Sequence, residues 1–254
     1  MAHLERDGVT LYYELHGATS ERTPLLLTHG YSASSAMWRP NLPALAGKRR
    51  VVTWDIRGHG RSASPSDPAR YSEAASVADM TAILDACGIR RAAIGGLSLG
   101  GYLSLAFHLA HRTRVAGLLL CDTGPGFRQA DARERWNAFA VARAEDLERQ
   151  GLAALSTSPE VGTGPHDPAG LALAARGILV QHDSRVLDSL PSIRVPTLIV
   201  VGEHDTPFRA ATDYMAAKIP GATKCILAGA GHAANIDQPR AFDAATTTFL
   251  ERLD

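Results

Sequence analysis

Six short apolar runs punctuate this 254-residue chain, at residues 24–28, 50–55, 92–97, 115–121, 195–201 and 224–227, each ending in or beside Gly, His, Asp or Ser. A strand that is apolar at nearly every position has both faces buried, as in a parallel sheet covered by its crossover helices. Helical patterns fall between the runs, at 72–86 with Ser72 placed as N-cap, at 99–109 and at 239–253. This alternation predicts an α/β architecture with a doubly wound, mostly parallel sheet. Asp7-Gly8 separates two alternating segments at the N-terminus and predicts a β-hairpin there.

One stretch breaks the rhythm. Gly124-Pro125-Gly126 opens it, 128–150 reads as helix, 156–170 is rich in Gly, Pro, Ser and Thr, and 171–190 reads as a second helix. No strand pattern occurs in it. The expected organisation is therefore a sheet domain formed by 1–122 and 191–254, with 123–190 inserted as a small helical cap.

Composition excludes several classes of partner. The 26 basic residues balance the 26 acidic ones, which gives no electrostatic reason to bind nucleic acid or an anionic membrane. No apolar run approaches the ~20 residues of a membrane span, and the charged, alternating N-terminus lacks the core of a signal peptide. A cytoplasmic protein acting on a small molecule is expected. Its oligomeric state is not legible. Cys87, Cys121 and Cys225 are widely spaced, without a CxxC pair, and read as small core hydrophobes.

The chemistry concentrates where apolar runs end. Gly96-Leu97-Ser98-Leu99-Gly100 follows one run and opens a helical pattern. A G-x-S-x-G sequence in that setting is a nucleophile elbow: a sharp turn lifts the serine to the tip of the sheet, and small neighbours avoid clashes. A serine hydroxyl is a weak nucleophile and needs a base, which needs an orienting acid. His232, in Gly229-Ala230-Gly231-His232, follows one run. Asp205, in Gly202-Glu203-His204-Asp205, follows another. Asp122 also ends a run and is the competing acid. His29-Gly30-Tyr31 can offer the Tyr31 backbone N–H to an oxyanion, beside that of Leu99. The Gly-rich loop 55–62 reads as structural, with Asp55 paired to Arg57. A metal reading of Glu203, His204 and Asp205, or of His108 and His111, lacks a third partner at ligand spacing. No metal and no cofactor is implied.

Taken together, His29-Gly30, the 55–62 loop, Gly96–Gly101, Gly202–Asp205 and Gly231-His232 resemble the α/β-hydrolase superfamily over nearly the whole chain. The resemblance is to its single-domain members with a small helical cap. It implies a serine hydrolase, carboxylesterase- or lactonase-like, with Ser98 as nucleophile, Asp205 as acid and His232 as base, in the superfamily's chain order. Small to medium, uncharged esters or lactones are the expected substrates. Carbon–carbon bond hydrolases, haloperoxidase-like enzymes and non-catalytic ligand receptors share the same motifs and stay open. Phe127, Trp136, Phe139, Ile178 and Leu179 are candidates to line or support the pocket. The cap arginines, at 128, 133, 135 and 143, alternate with acidic residues and read as a solvated, ion-paired helix face.

Overall fold

The computed structural model describes residues 2–254. Eight strands form one sheet: β1 (Ala2–Arg6), β2 (Val9–His16), β3 (Leu25–Thr28), β4 (Val51–Trp54), β5 (Ala92–Leu97), β6 (Val115–Cys121), β7 (Thr197–Gly202) and β8 (Thr223–Leu227), in the order β1-β2-β4-β3-β5-β6-β7-β8. The first two pair as the expected hairpin, with Asp7 and Gly8 both at positive φ, and β2 runs antiparallel to β4. All later pairings are parallel.

Side chains alternate between two cores. Leu26, Ile94, Leu118 and Leu120 point into one, packed under α2 (Glu73–Ala86), α3 (Leu99–Ala110) and α7 (Thr206–Lys218). Leu25, Leu27, Leu97, Leu119 and Val200 point into the other, packed under α1 (Leu42–Leu45), α8 (Ala234–Asp237) and α9 (Pro239–Glu251). Burial on both faces is why the strands are almost wholly apolar. Ser72 caps α2 as expected, its hydroxyl accepting from the Ala75 N–H. The helix Thr206–Lys218 has no counterpart in the sequence reading; it starts at Asp205, with Pro207 in its first turn.

Residues 122–196 lie between β6 and β7 and carry α4 (Ala130–Gln150), α5 (Pro168–Ala174) and α6 (Arg185–Ser189). Ala144 and Leu147 of α4 meet Leu171, Ala172 and Ala175 in a small apolar cluster of their own, against Tyr31. The single helix expected over 171–190 is broken. A π-helical turn, Ala175–Leu179, follows α5, and Val180 is extended before α6 starts. Gly177 explains part of the break: a Cβ there would lie 2.2 Å from the Tyr71 carbonyl oxygen, so the chain passes close over the loop before α2.

The 55–62 loop departs from expectation. Asp55 and Arg57 do not pair. Asp55 accepts the backbone N–H groups of Ser35 (2.6 Å) and Arg61 (2.8 Å), which ties two loops together. Arg57, fully buried, makes a two-pronged ion pair with Asp79 of α2 at 2.8 and 2.6 Å. A rigid guanidinium fork satisfies both carboxylate oxygens, which a neighbour two residues away in the same loop could not reach in that geometry.

Candidate active site

Ser98 links β5 to α3 with φ 54° and ψ −114°, outside the conformations L-residues ordinarily adopt. Surrounding contacts hold it there. Its N–H donates to Cys121 O (2.9 Å), and its carbonyl accepts from Tyr102 N (3.1 Å) and from Thr123 Oγ1 (2.6 Å). The turn needs glycine beside it: a Cβ on Gly100 would lie 2.2 Å from Thr28 O, and one on Gly96 2.5 Å from the same atom.

Asp205 and His232 arrive from neighbouring strand ends. The loops after β7 and β8 are stitched together by Glu203 N–H to Leu227 O (2.9 Å) and His204 N–H to Ala230 O (2.8 Å). This stitching brings His232 Nδ1 within 2.9 Å of Asp205 Oδ2. Asp205 is buried, whereas the imidazole is about a third exposed. Phe208, one turn into α7, stacks on the ring at 5.0 Å. Burial pushes the imidazole pKa down, but the hydrogen bond and charge of Asp205, joined by Asp122 and then Glu160, outweigh it and leave the pKa above its usual 6.5. Ser98 Oγ makes no hydrogen bond to another side chain among the described residues, and Phe208, which stacks on His232, shares the cavity lining with Ser98.

Asp122 sits beside this pair but does not bond the histidine. It is fully buried at φ 45°, and its Oδ1 accepts from Gly202 N (2.8 Å). Its Oδ2 has no hydrogen bond of ordinary geometry, and burial drives the carboxyl pKa well above its usual range, against the opposing pull of the Gly202 and Ala234 N–H groups and of His232. Glu203 is likewise engaged elsewhere, accepting the Gly229 N–H (2.9 Å). Among the described residues no group of three or more His, Cys, Asp or Glu side chains could hold a metal ion.

The His29–Tyr31 loop lies against the elbow. A Cβ on Gly30 would stand 3.6 Å from Ser98 Cβ. His29 shapes this loop with both ring nitrogens, donating from Nδ1 to Gly30 O (2.6 Å) and accepting at Nε2 from Ile56 N (2.9 Å). Desolvation lowers its pKa to about 4, so it is a neutral structural imidazole. Tyr31 is pinned over the loop by its hydroxyl, which donates to Leu171 O (2.9 Å).

A cavity of about 260 Å³ opens at Ser98 and Leu99. Phe127, Trp136 and Leu179 line it, as do Tyr102, Thr123, Gln181 and Phe208, which the sequence did not single out. Phe208 alone was accessible to reasoning, as the residue one turn beyond Asp205. Phe139 does not line the cavity. It is 52% exposed and stacks on the side of Trp136 at 5.6 Å. Ile178 is buried in the main core instead. None of the arginines 128, 133, 135 and 143 lines the cavity, and each has a partner: Arg128 binds Asp188 (2.8 Å), Arg133 the carbonyls of Phe127 and Arg128, Arg135 Asp131 (2.9 Å) and Arg143 Ala154 O (2.6 Å).

Comparison with known proteins places this geometry in context. A model of the alpha/beta hydrolase family matches residues 25–245. The 3-oxoadipate enol-lactonase 1 of Acinetobacter baylyi is 30% identical over 98% of this chain and 96% of its own. A protein of Azorhizobium caulinodans that carries the name carbamate hydrolase RutD is 28% identical over the full length of both. Among solved structures, a thermophilic esterase from Thermogutta terrifontis superposes with a TM-score of 0.84 at 28% identity, covering 100% of this chain and 99% of the esterase.

Proposed function

The chain belongs to the alpha/beta hydrolase family, and on that premise we propose that it is a serine hydrolase cleaving small to medium, uncharged carboxylic esters or lactones through an acyl-enzyme on Ser98. The observation that carries this reading is the 2.9 Å hydrogen bond from His232 to buried Asp205, beside a cavity that begins at a strained Ser98. With Nδ1–H held by Asp205, the imidazole presents Nε2 as the base.

The steps follow from these roles. His232 Nε2 takes the Ser98 proton as Oγ attacks the carbonyl carbon. The backbone N–H groups of Tyr31 and Leu99 receive the oxyanion. The C–O bond breaks, and the leaving alkoxide takes the proton back from His232. Water then gives a proton to the same histidine and attacks the acyl carbon; the bond from that carbon to Ser98 Oγ breaks, and His232 returns the proton to Oγ, releasing the acid and free Ser98. Residues 123–190 act as a cap in this scheme: Phe127, Trp136 and Leu179 supply the apolar wall on which substrate choice depends. Cleavage of a carbon–carbon bond in an acidic dienoate is less well supported, because no lysine or arginine lines the cavity and the cap arginines are engaged elsewhere.

A panel of p-nitrophenyl esters and lactones tests the reading, with Ser98→Ala as control. Ser98→Ala should lower kcat by ~10⁴-fold or more while the thermal melt is retained. A fluorophosphonate should label the wild type alone. Persistent labelling of the alanine variant would put the nucleophile elsewhere, and a folded wild type with neither turnover nor labelling would indicate a ligand-binding protein.

A further inference from the structure

Thr123 follows the turn that ends β6 and is 1% exposed. Asp122, at φ 45°, bends the chain off the strand just before it. Thr123 comes to rest on the serine elbow. Its methyl group occupies the space of a missing side chain at Gly101, where a Cβ would lie 2.5 Å from Thr123 Cγ2. Its hydroxyl donates to the Ser98 carbonyl oxygen at 2.6 Å, and the Tyr102 N–H donates to the same oxygen at 3.1 Å. The glycine after Gly100 thus has a physical reason of its own: α3 gives up a side chain there, and a buried hydroxyl reaches the elbow. Thr123 also lines the cavity together with Ser98 and Leu99.

The Ser98 carbonyl and the Leu99 N–H belong to one peptide group. That group is trans and planar, so its C=O and N–H point in opposite directions, and fixing the oxygen fixes the aim of the N–H. Leu99 opens α3, where an N–H has no partner inside the helix. The Ser98 ψ of −114° sets the rotation of this peptide, and that angle is not one the residue would keep unaided. We propose that Thr123 is a positioning residue of the oxyanion hole: its hydroxyl holds the Ser98 carbonyl from behind and so aims the Leu99 N–H at the oxyanion. The assignment rests on the serine hydrolase reading above. A second effect runs the same way, because a hydrogen bond to the carbonyl polarises the peptide and makes its N–H a stronger donor. Both effects act where charge develops on the substrate oxygen, and so favour the tetrahedral state over the bound ester.

Thr123→Val removes the hydroxyl and keeps the shape, whereas Thr123→Ser keeps the hydroxyl. Each is assayed with a p-nitrophenyl ester and with two inhibitors of matching acyl chain. One is a trifluoromethyl ketone: Ser98 Oγ adds to its carbonyl carbon, His232 takes the serine proton, and the carbonyl oxygen is left as an oxyanion. The other is the corresponding trifluoromethyl carbinol, which forms no adduct. Thr123→Val should lower kcat/KM about tenfold and raise the ketone Ki by a similar factor, with the carbinol Ki unchanged. Thr123→Ser should restore both to within a few-fold of wild type. A folded Thr123→Val that keeps its kcat/KM, an equal loss of ketone and carbinol binding, or a serine variant as impaired as the valine one would overturn the assignment and leave the serine hydrolase reading intact. The wild type supplies a readout that needs no variant: the Thr123 hydroxyl proton should exchange slowly with water and move downfield in the NMR spectrum as the ketone adduct forms. A fast-exchanging or unmoved proton would also overturn the assignment. Absence of turnover together with absence of fluorophosphonate labelling in the wild type would overturn both readings.

Discussion

Asp122 and Asp205 end adjacent strands and gather around one histidine, yet their surroundings give them opposite characters. Asp205 is hydrogen-bonded to His232, whereas Asp122 has one oxygen on Gly202 N–H and the other without an ordinary hydrogen bond. Asp205→Asn should therefore leave the wrong imidazole tautomer and cost ~10⁴-fold in kcat. Asp122→Asn should keep the Gly202 bond and change kcat only a few-fold; the reverse ranking would exchange their roles. Stability supplies a second readout. The folded state holds a proton on Asp122 that the unfolded chain releases above the ordinary carboxylate range, near ~3.9. Wild-type stability thus drops, relative to Asp122→Asn, as pH rises from about 4 toward the raised folded value. Thermal melts at pH 4 and 8 should show the variant's Tm advantage growing with pH. For His232 the sign is fixed by its need to be neutral as base: kcat/KM should rise with pH through a midpoint above 6.5. Glu160→Gln, which removes a nearby negative charge, should move that midpoint down, and an unmoved or rising midpoint would show that Glu160 does not act on the imidazole.

Elements placed over the sheet supply much of the lining of the cavity at Ser98. Helix α4 buries only Ala140, Ala144 and Leu147, so its apolar stripe is thin and its other faces carry ion pairs such as Arg135–Asp131. Trp136 is the exception that faces the cavity, fixed by its Nε1–H to Leu179 O at 2.8 Å and by Phe127 at 5.9 Å. Trp136→Leu should enlarge the cavity and move the acyl chain-length optimum of a p-nitrophenyl series upward, with Tm lower by a few degrees. An unchanged optimum would show that α4 does not shape the substrate site. The helical pattern over 128–150 was legible because good helix formers run through it with no Gly or Pro. The break after Ala174 was not. It goes with the close approach of Gly177 to Tyr71, a contact between segments far apart in the chain.

At the scale of the whole molecule, one buried ion pair ties the hairpin, the loop after β4 and α2 together. Asp79 meets Arg57 and also Arg6 (2.8 Å). Removing Arg57 leaves the buried Asp79 carboxylate with the partly exposed Arg6 alone, so Arg57→Met should cost about 3 kcal/mol, or roughly 10 °C in Tm for a chain of this size. Activity should survive exhaustive dialysis against EDTA, since the proposed nucleophile is made by a base and not by a Lewis acid; loss restored by zinc would contradict that. What the sequence by itself determined is what local physics dictates. Strands buried on both faces must be apolar throughout, a strained serine turn must have small neighbours, and the motifs ending each run keep their order whatever the loops do. Only the tertiary structure decided which carboxylate reached His232, that Arg57 left Asp55 for Asp79, and that Gln181 came to stand in the cavity wall. Those outcomes depend on where strand ends and cap segments far apart in the chain arrive in space, and a side chain's neighbours across such distances leave no periodicity or spacing behind to be read.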